Sequence, residues 1–378
     1  MTVPNPSAAS IIVALALLAA TAGADDLQTA LDTLNAVGPQ GQGNAAATRA
    51  WRQVAQADAA QVPKILTALD TANPLTANWI RTAVDAVCQR TLQNGGNLPQ
   101  DALERFVLDT AHAPKGRRLA YEWLLQVEPD AEQRIVPRFL SDPSLELRRD
   151  AVARLIAQAK ASPDDEKPEL LKQAFHAARD RDQVGAIAAA LKELQIPVDL
   201  VAHDGLIVDW HVIGPFDNHE EAGFATVYPP ERGVDLQTKH QGKRDSIGWV
   251  AHQSANPQGS IDLYAALADT LEGKHEKEIT AYATTVFHSP TEQTVQIRSS
   301  SFCALKIWVN DQLVSDHEVY HSGTSFDQYC GQATLKQGPN RILVKLCQNA
   351  QTQDWTNRFA FQLRICDAIG SGILSQDQ

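Results

Sequence analysis

The sequence predicts a multidomain α plus β protein, with a helical first half and an antiparallel β-sandwich second half. At 378 residues the chain exceeds the usual size of one compact domain, so each half is long enough to bury its own core. Residues 25–201 carry apolar side chains at helical spacing, whereas residues 202–378 carry short β-branched segments separated by turns. We place the boundary just after Pro197, which ends the last helical pattern.

A repeat is visible within the first half. Arg81, Arg118 and Arg149 each open a similar four-residue string, at intervals of 37 and 31 residues. Asp142-Pro143 precedes the last copy, and this junction is expected to stop one helix and to start the next, with proline fixing φ near its first turn. From Ala45 to Gln195 this pattern resembles HEAT-type helical hairpins. The resemblance implies an α-solenoid that binds protein partners and performs no chemistry; an irregular helical bundle is the alternative.

The second half reads as strands. Leu206–Ile213 is rich in apolar and β-branched residues, and turn signals such as Asn310-Asp311 separate the later segments. Within Ala304–Asn310, alternation predicts that Leu305, Ile307 and Val309 face one side, whereas Lys306 and Trp308 face the other. The remaining predicted strands are Ile279–Phe287, Gln293–Arg298, Gln312–Val314, Arg341–Gln348 and Phe359–Ile365.

Three strings in this half carry a second resemblance. They begin at Trp210 (WHVIGPFDN), Leu305 (LKIWVN) and Leu335 (LKQGPNRILVK), the first being followed by Tyr228-Pro229-Pro230-Glu231. Over Gly205 to Gly370 they resemble the jelly-roll, galactose-binding-like domains found beside glycosidase barrels. The resemblance implies a β-sandwich that serves as a sugar binder, a spacer or a docking module, and fold alone does not choose among these roles.

A sugar site needs an aromatic face for the C–H side of a pyranose and nearby polar groups for its hydroxyls. Asp217 and Asp311 are alternative oxygen ligands for a structural Ca²⁺ ion, although no other cofactor is expected. The competing interpretation is structural, because aromatic residues often cover a sandwich face and Asn or Asp often form turns. The candidate ligand-binding residues are Trp308, Trp355, Tyr320, Tyr329, Asn310, Asp311 and Asp327.

No catalytic motif is found. The sequence contains no G-x-S-x-G, H-E-x-x-H, Walker or G-x-G-x-x-G string, and Glu220, Glu221 and Glu231 have no identifiable acid/base partner. We therefore expect a non-enzymatic exported scaffold, whose helical repeats bind protein and whose sandwich docks to protein or glycan. A carbohydrate-binding protein acting on cell-surface or environmental polysaccharide is the alternative. An enzyme would need a carboxylate pair in one cleft.

The N-terminus predicts export. An apolar run from Ile11 to Ala20 precedes the small residues Ala22 and Ala24, as in a signal peptide spanning residues 1–24, although no Lys or Arg precedes the run. A periplasmic or extracellular location follows, with no membrane span expected in the mature chain. The net charge of −12 makes nucleic acid an unlikely partner, because it repels phosphate.

Four of the five cysteines lie close together in sequence. An oxidising compartment favours one or two disulfides among them, and buried free thiols are the alternative. Their spacing includes no C-x-x-C pair, which argues against structural zinc. The four are Cys303, Cys330, Cys347 and Cys366.

Overall fold

The computed structural model describes residues 26–376, and the chain divides into two compact units between Ile187 and Ala188. We call residues 26–187 the helical unit and residues 188–376 the sheet unit. The predicted signal peptide, residues 1–24, lies outside the described residues. Within residues 26–376, no helix combines the length and the apolar character that crossing a membrane demands.

The helical unit consists of consecutive helices joined by short turns. Its residues are held together by a continuous apolar core that includes Leu34, Val84 and Leu124. The division between the units falls inside α10. The helices are α1 (26–35), α2 (Asn44–Val54), α3 (Val62–Thr67), α4 (Pro74–Gln93), α5 (Gln100–Leu108), α6 (Pro114–Val127), α7 (Ala131–Ile135), α8 (Leu145–Ala161), α9 (Lys167–Ala177) and α10 (Arg181–Glu193).

The Asp142-Pro143 junction lies between two helical segments as predicted, and its proline lies two residues before the next helix begins. Helix α8 begins at Leu145, and Ser144 is its N-cap, accepting a hydrogen bond from the Leu147 amide. Asp142 instead forms a buried bidentate pair with Arg117, at 2.8 and 2.6 Å. Capping by Ser144 supplies the start that we had assigned to proline.

The three aligned arginines lie on alternate helices, α4, α6 and α8. Each pairs with an acidic side chain on the next helix of that series, so the ion pairs run from α4 to α10. The pairs are Arg81–Glu122, Arg118–Asp150 and Arg149–Asp182.

The sheet unit contains antiparallel sheets. A six-stranded sheet has the order β4-β1-β6-β11-β8-β9, a four-stranded sheet has the order β10-β7-β12-β5, and β2 and β3 form a small ribbon. The elements are α11 (Leu200–Asp204), β1 (Asp209–Asp217), α12 (Pro229–Arg232), β2 (His240–Gln241), β3 (Ser246–Ile247), β4 (Val250–Gln253), β5 (Ile261–Asp262), α13 (Leu263–Ala266), β6 (Ile279–Ser289), β7 (Gln293–Ser301), β8 (Ala304–Val309), β9 (Gln312–His317), β10 (Tyr329–Leu335), β11 (Gly338–Gln348) and β12 (Ala360–Cys366).

Both larger sheets contribute to one buried apolar cluster. Ala283 and Val344 enter it from the six-stranded sheet, and Ile297 and Leu363 from the four-stranded sheet. Leu305, Ile307 and Val309 also lie in this cluster, which confirms the predicted alternation of β8. Each larger sheet therefore has an inner face toward this core and an outer face away from it.

Three details differ from the strand prediction. The first strand begins at Asp209 rather than Leu206, the short strands β2, β3, β4 and β5 and the longer strand β10 (Tyr329–Leu335) were not predicted, and the short helices α12 and α13 lie between the strands. Gly331 lies in β10 where a Cβ would come within 2.2 Å of the Val314 carbonyl oxygen. Glycine is therefore required at this position of β10, where the backbone of Val314 approaches closely.

All five cysteines are free thiols, so the expected disulfides do not form. Cys303 lies in the core between the sheets, whereas Cys347 lies in a separate cluster with Phe224 and Ala304. Because successive strand residues point to opposite faces, Cys303 and Cys347 point apart although Ala304 pairs with Cys347. Burial raises the pKa of the Cys347 thiol to about 11, so it stays protonated near neutral pH.

Candidate ligand-binding loops

Three loops of the sheet unit meet at one end of the six-stranded sheet. They follow β1, β9 and β11, and we call their shared surface the loop site. Asn218 from the first loop bonds the Gln348 carbonyl at 2.9 Å, and His321 from the second bonds Asn349 at 2.8 Å. Segments more than one hundred residues apart in sequence therefore form one surface.

Trp355 is the exposed aromatic side chain of this surface. Its exposed fraction is 58%, although the next residue, Thr356, is fully buried. The Thr356 carbonyl oxygen accepts hydrogen bonds from Lys277 Nζ at 2.8 Å and Gln348 Nε2 at 3.0 Å. The Gln351 and Gln353 carbonyls share the single hydrogen of the Thr356 hydroxyl. These buried hydrogen bonds of Thr356 hold the turn in place, while the neighbouring Trp355 indole is exposed to solvent.

A chain of polar contacts runs beside the indole. The His321 ring stands at 87° to the Trp355 ring, with 5.7 Å between centroids. Its Nε2 faces Asn349 Oδ1 at 2.8 Å, and Asn349 Nδ2 donates to Glu221 Oε1 at 3.0 Å. Because an amide oxygen only accepts, this network assigns the proton to Nε2 of His321. The exposed Glu221 ends the chain as a hydrogen-bond acceptor at the surface.

Asn218 and Gly223 join the first loop to the sheet. Asn218 is fully buried, and a Cβ on Gly223 would lie 2.6 Å from Asn218 Oδ1, from the Asp217 carbonyl oxygen and from Thr280 Oγ1. Only glycine leaves room for these three oxygens. Asn218 Nδ2 also lies 3.4 Å from the Tyr320 hydroxyl, and burial raises the pKa of that hydroxyl.

A buried ion pair holds the following segment, 224–231, on the outer face of the sheet; we call it the Lys345 clamp. Lys345 is 1% exposed, and its Nζ donates to the Phe224 and Thr226 carbonyls at 3.1 and 2.7 Å and to Glu231 Oε1 at 2.9 Å. Tyr282 donates its hydroxyl hydrogen to the same carboxylate. Glu231, for which the sequence offered no partner, therefore serves the fold.

Trp308, Asn310 and Asp311 do not belong to the loop site. Trp308 packs on the outer face of the six-stranded sheet, opposite Leu343. Asn310 donates to Asn340 Oδ1 at 2.7 Å, and Asp311 pairs with Arg341. Both turn residues have positive φ, as in a type I′ turn, and they join the antiparallel strands β8 and β9, so the turn predicted at this Asn-Asp pair is present.

Tyr329 and Asp327 are likewise engaged elsewhere. Tyr329 stacks on His317 with centroids 3.8 Å apart. Asp327 accepts hydrogen bonds from Arg298 and Arg364 at 2.6–2.7 Å. Burial opposes the charge of Asp327, but the bonds from Arg364 and Arg298 outweigh it and lower its pKa.

The two calcium candidates each pair with a cationic side chain. Asp217 lies 3.3 Å from Lys243 Nζ, and Asp311 pairs with Arg341. Over residues 26–376, no three His, Cys, Asp or Glu side chains converge as a metal site would require. A calcium ion at either residue stays a prediction.

Comparisons with known proteins give low similarities. No family model matches the chain, and no curated protein matches it. Two crystal structures of a β-glucosidase from Kluyveromyces marxianus are similar at TM-scores of 0.26 and 0.28, with 11% and 10% identity. The first, a complex with glucose, covers 42% of this chain and 16% of the enzyme; the second covers 80% and 38%. This chain therefore spans well under half the length of that enzyme.

A family 35 carbohydrate-binding module from Clostridium thermocellum is also similar, at a TM-score of 0.19 and 16% identity, over 25% of this chain and 76% of the module. At these values the similarities assign neither a fold nor a function to this chain.

Sequence reasoning found part of the loop site. Tyr320 and Trp355 were predicted as ligand-binding residues, and the structure places both in these loops. Asn349 and Glu221, which continue the polar chain, were not predicted. The available signal was weak: Asn349 directly follows the end of a strand, a position that usually indicates only a turn.

Proposed function

We propose that the protein binds carbohydrate through the loop site. The observation that carries this proposal is the 58% exposed Trp355, held on a turn whose neighbouring residue is fully buried and hydrogen-bonded. Exposing an indole has no advantage for folding, whereas a rigid aromatic plane beside polar groups is what pyranose recognition requires.

In this proposal the Trp355 ring stacks on the C–H face of a sugar. Glu221 accepts hydrogen bonds from sugar hydroxyls, because one of its oxygens is already bound by Asn349 and the other has no partner among the described residues. His321 and Asn349 fix the position of that carboxylate relative to the indole. The interactions are formed before the sugar arrives, which lowers the entropic cost of binding.

Affinity electrophoresis of the full chain through gels containing xylan, β-glucan, galactan or dextran tests the proposal. At least one polysaccharide is expected to retard the wild type. Trp355→Ala should lose this retardation, Trp355→Phe should retain part of it, and Leu313→Ala, which changes a 50% exposed side chain outside the loop site, should match the wild type. Equal migration of all variants in every gel would overturn the proposal.

We further propose that this site binds without performing chemistry. Glu221 has one oxygen free, but Glu231 is held by Lys345 and Tyr282 and is not available as the second half of a catalytic carboxylate pair. Incubation with the retarding polysaccharide should release no reducing sugar. Release that is lost in Glu221→Gln would show an enzyme instead.

The helical unit is proposed as a HEAT-like solenoid that binds a protein partner, and the sheet unit as a jelly-roll β-sandwich. The ion pairs that link α4, α6, α8 and α10 favour stacked hairpins. Leu75 and Leu145, near the starts of α4 and α8, are 47% and 41% exposed and offer contacts to a partner. A partner captured by the wild type should be lost by Leu75→Ser/Leu145→Ser; capture of the same proteins by both would contradict this assignment.

We also propose that the protein is exported and that residues 1–24 are removed as a signal peptide. N-terminal sequencing of the exported chain should begin at Asp25. A mature chain that retains residues 1–24 would contradict signal cleavage.

A further inference from the structure

The outer face of the six-stranded sheet carries a cleft that is separate from the loop site. Its volume is about 660 Å³, within the range of small-molecule pockets. Strands β4, β1, β6 and β11 form its floor, and Val234 and Leu236 form one wall. The lining side chains that matter here are Val234, Leu236, Ala251, Val286, His211 and Arg341.

Val234, Leu236, Ala251 and Val286 give this cleft its apolar lining, because Trp210, which also lines it, is only 2% exposed and packs into the core between the sheets. Val286, on the floor strand β6, is 52% exposed and Leu236, in the wall, is 38% exposed, so apolar surface of both remains open to solvent. Sugars are recognised by aromatic planes and dense polar groups, whereas this lining favours a hydrocarbon body. The cleft therefore differs from the loop site in the chemistry it can bind.

Polar groups lie at defined places around the apolar lining. Arg341 is opposite Val286 in the neighbouring strand, and its guanidinium pairs through Nη2 with Asp311, whose side chain is 74% exposed. Such an exposed pair contributes little and exchanges readily with another anion. On the floor, the His211 ring makes no hydrogen bond or ion pair with any residue of the described chain, and it lines the cleft.

Charge is distributed asymmetrically across the floor. Arg341 lies on β11 and the carboxylate of Asp209 lies on β1, with β6 between them. Asp209 disfavours an anionic group on its own side, while on the opposite side Arg341 favours an anion that replaces Asp311 as its partner. A bound amphipathic anion would thus have one preferred orientation.

We propose that this cleft binds a small amphipathic organic anion, with its aromatic or aliphatic body between Leu236 and Val286 and its carboxylate or sulfonate group at Arg341. The site is independent of the sugar proposal, since it shares no residue with the loop site.

Two fluorescent probes test the proposal on the full chain. 1-Anilinonaphthalene-8-sulfonate has an apolar body and an anionic group, and N-phenyl-1-naphthylamine is the same body without the charge. Both should bind in the cleft, and the anionic probe should bind more tightly. Val286→Thr should weaken both probes about fivefold because it replaces apolar contact by a hydroxyl of nearly equal size.

Arg341→Gln should weaken the anionic probe about tenfold and leave the uncharged probe unchanged. The matched control is Val227→Thr, because Val227 is 51% exposed but does not line the cleft. Val286 is half exposed, so its variant should fold, which circular dichroism verifies. Polysaccharide retardation should be the same in Val286→Thr as in the wild type.

Equal probe binding by Val286→Thr and Val227→Thr would overturn the site. If Arg341→Gln affects both probes equally, or neither, the position of the anionic group is wrong.

Discussion

Replacing Lys345 by methionine removes the buried ammonium of the Lys345 clamp while keeping a side chain of similar length. The change leaves Glu231 without its cation, although Tyr282 still donates to it, and leaves the Phe224 and Thr226 carbonyls without their lysine donor. Removing one partner of a buried ion pair typically costs about 3–5 kcal/mol of unfolding free energy. For a unit of this size that corresponds to a decrease in Tm of about 6–20 °C.

Thermal unfolding followed by circular dichroism measures this decrease, and hydrogen exchange of residues 224–231 should rise together with it. Lys306→Met is the matched control, because Lys306 lies opposite Lys345 in the neighbouring strand. Lys306 contacts Asp316 at 3.6 Å and lies over the Phe224 ring at 4.3 Å, so its loss should cost only about 1 kcal/mol. Equal Tm values for the two variants would refute the role assigned to the clamp.

Two further changes test the packing of the same region. Gly223→Ala places a Cβ 2.6 Å from three oxygens and should lower the free energy of unfolding by about 1–3 kcal/mol in a denaturant titration. The control Gly233→Ala, with no atom near the added Cβ, should leave that free energy nearly unchanged. Equal unfolding midpoints for the two variants would contradict the steric argument. Burial raises the pKa of the Tyr282 hydroxyl, and the hydrogen bond to Glu231 raises it further. Above pH 10 this hydroxyl therefore ionises in the unfolded protein but stays neutral in the folded protein. The wild type should therefore lose stability at up to about 1.4 kcal/mol per pH unit from this group, and the stability difference from Tyr282→Phe should shrink between pH 10 and 12. Parallel pH curves would exclude this linkage.

The helical half and most of the long strands could be predicted from the sequence, because each shows a clear hydrophobic period, whereas the short strands β2 to β5 could not. The alternation of β8 placed Trp308 and Lys306 on the outer face correctly. Strand Tyr329–Leu335 could not be predicted in this way, since Gly331 and Gln332 interrupt the β-branched pattern that indicates a strand.

The candidate site was less predictable because it depends on contacts between distant loops. Trp355 and Tyr320 could be selected by residue type alone. Asn349 and Glu221 are 128 residues apart, and nothing in the sequence pairs them. Conversely, Asn310 and Asp327 have the residue types of sugar ligands but serve a hairpin and an arginine pair. Residue type identified candidates, and tertiary contacts separated binding groups from structural ones.

The central claim is that Trp355 is the platform of a carbohydrate site, and calorimetric titration of the full chain with the polysaccharide that retards it tests this claim most directly. Removing the indole should cost about 2 kcal/mol of stacking, so Trp355→Ala should bind about thirtyfold more weakly while Leu313→Ala binds like the wild type. Both variants should keep the wild-type Tm, since both side chains are half exposed or more. Unchanged affinity in Trp355→Ala would contradict the account.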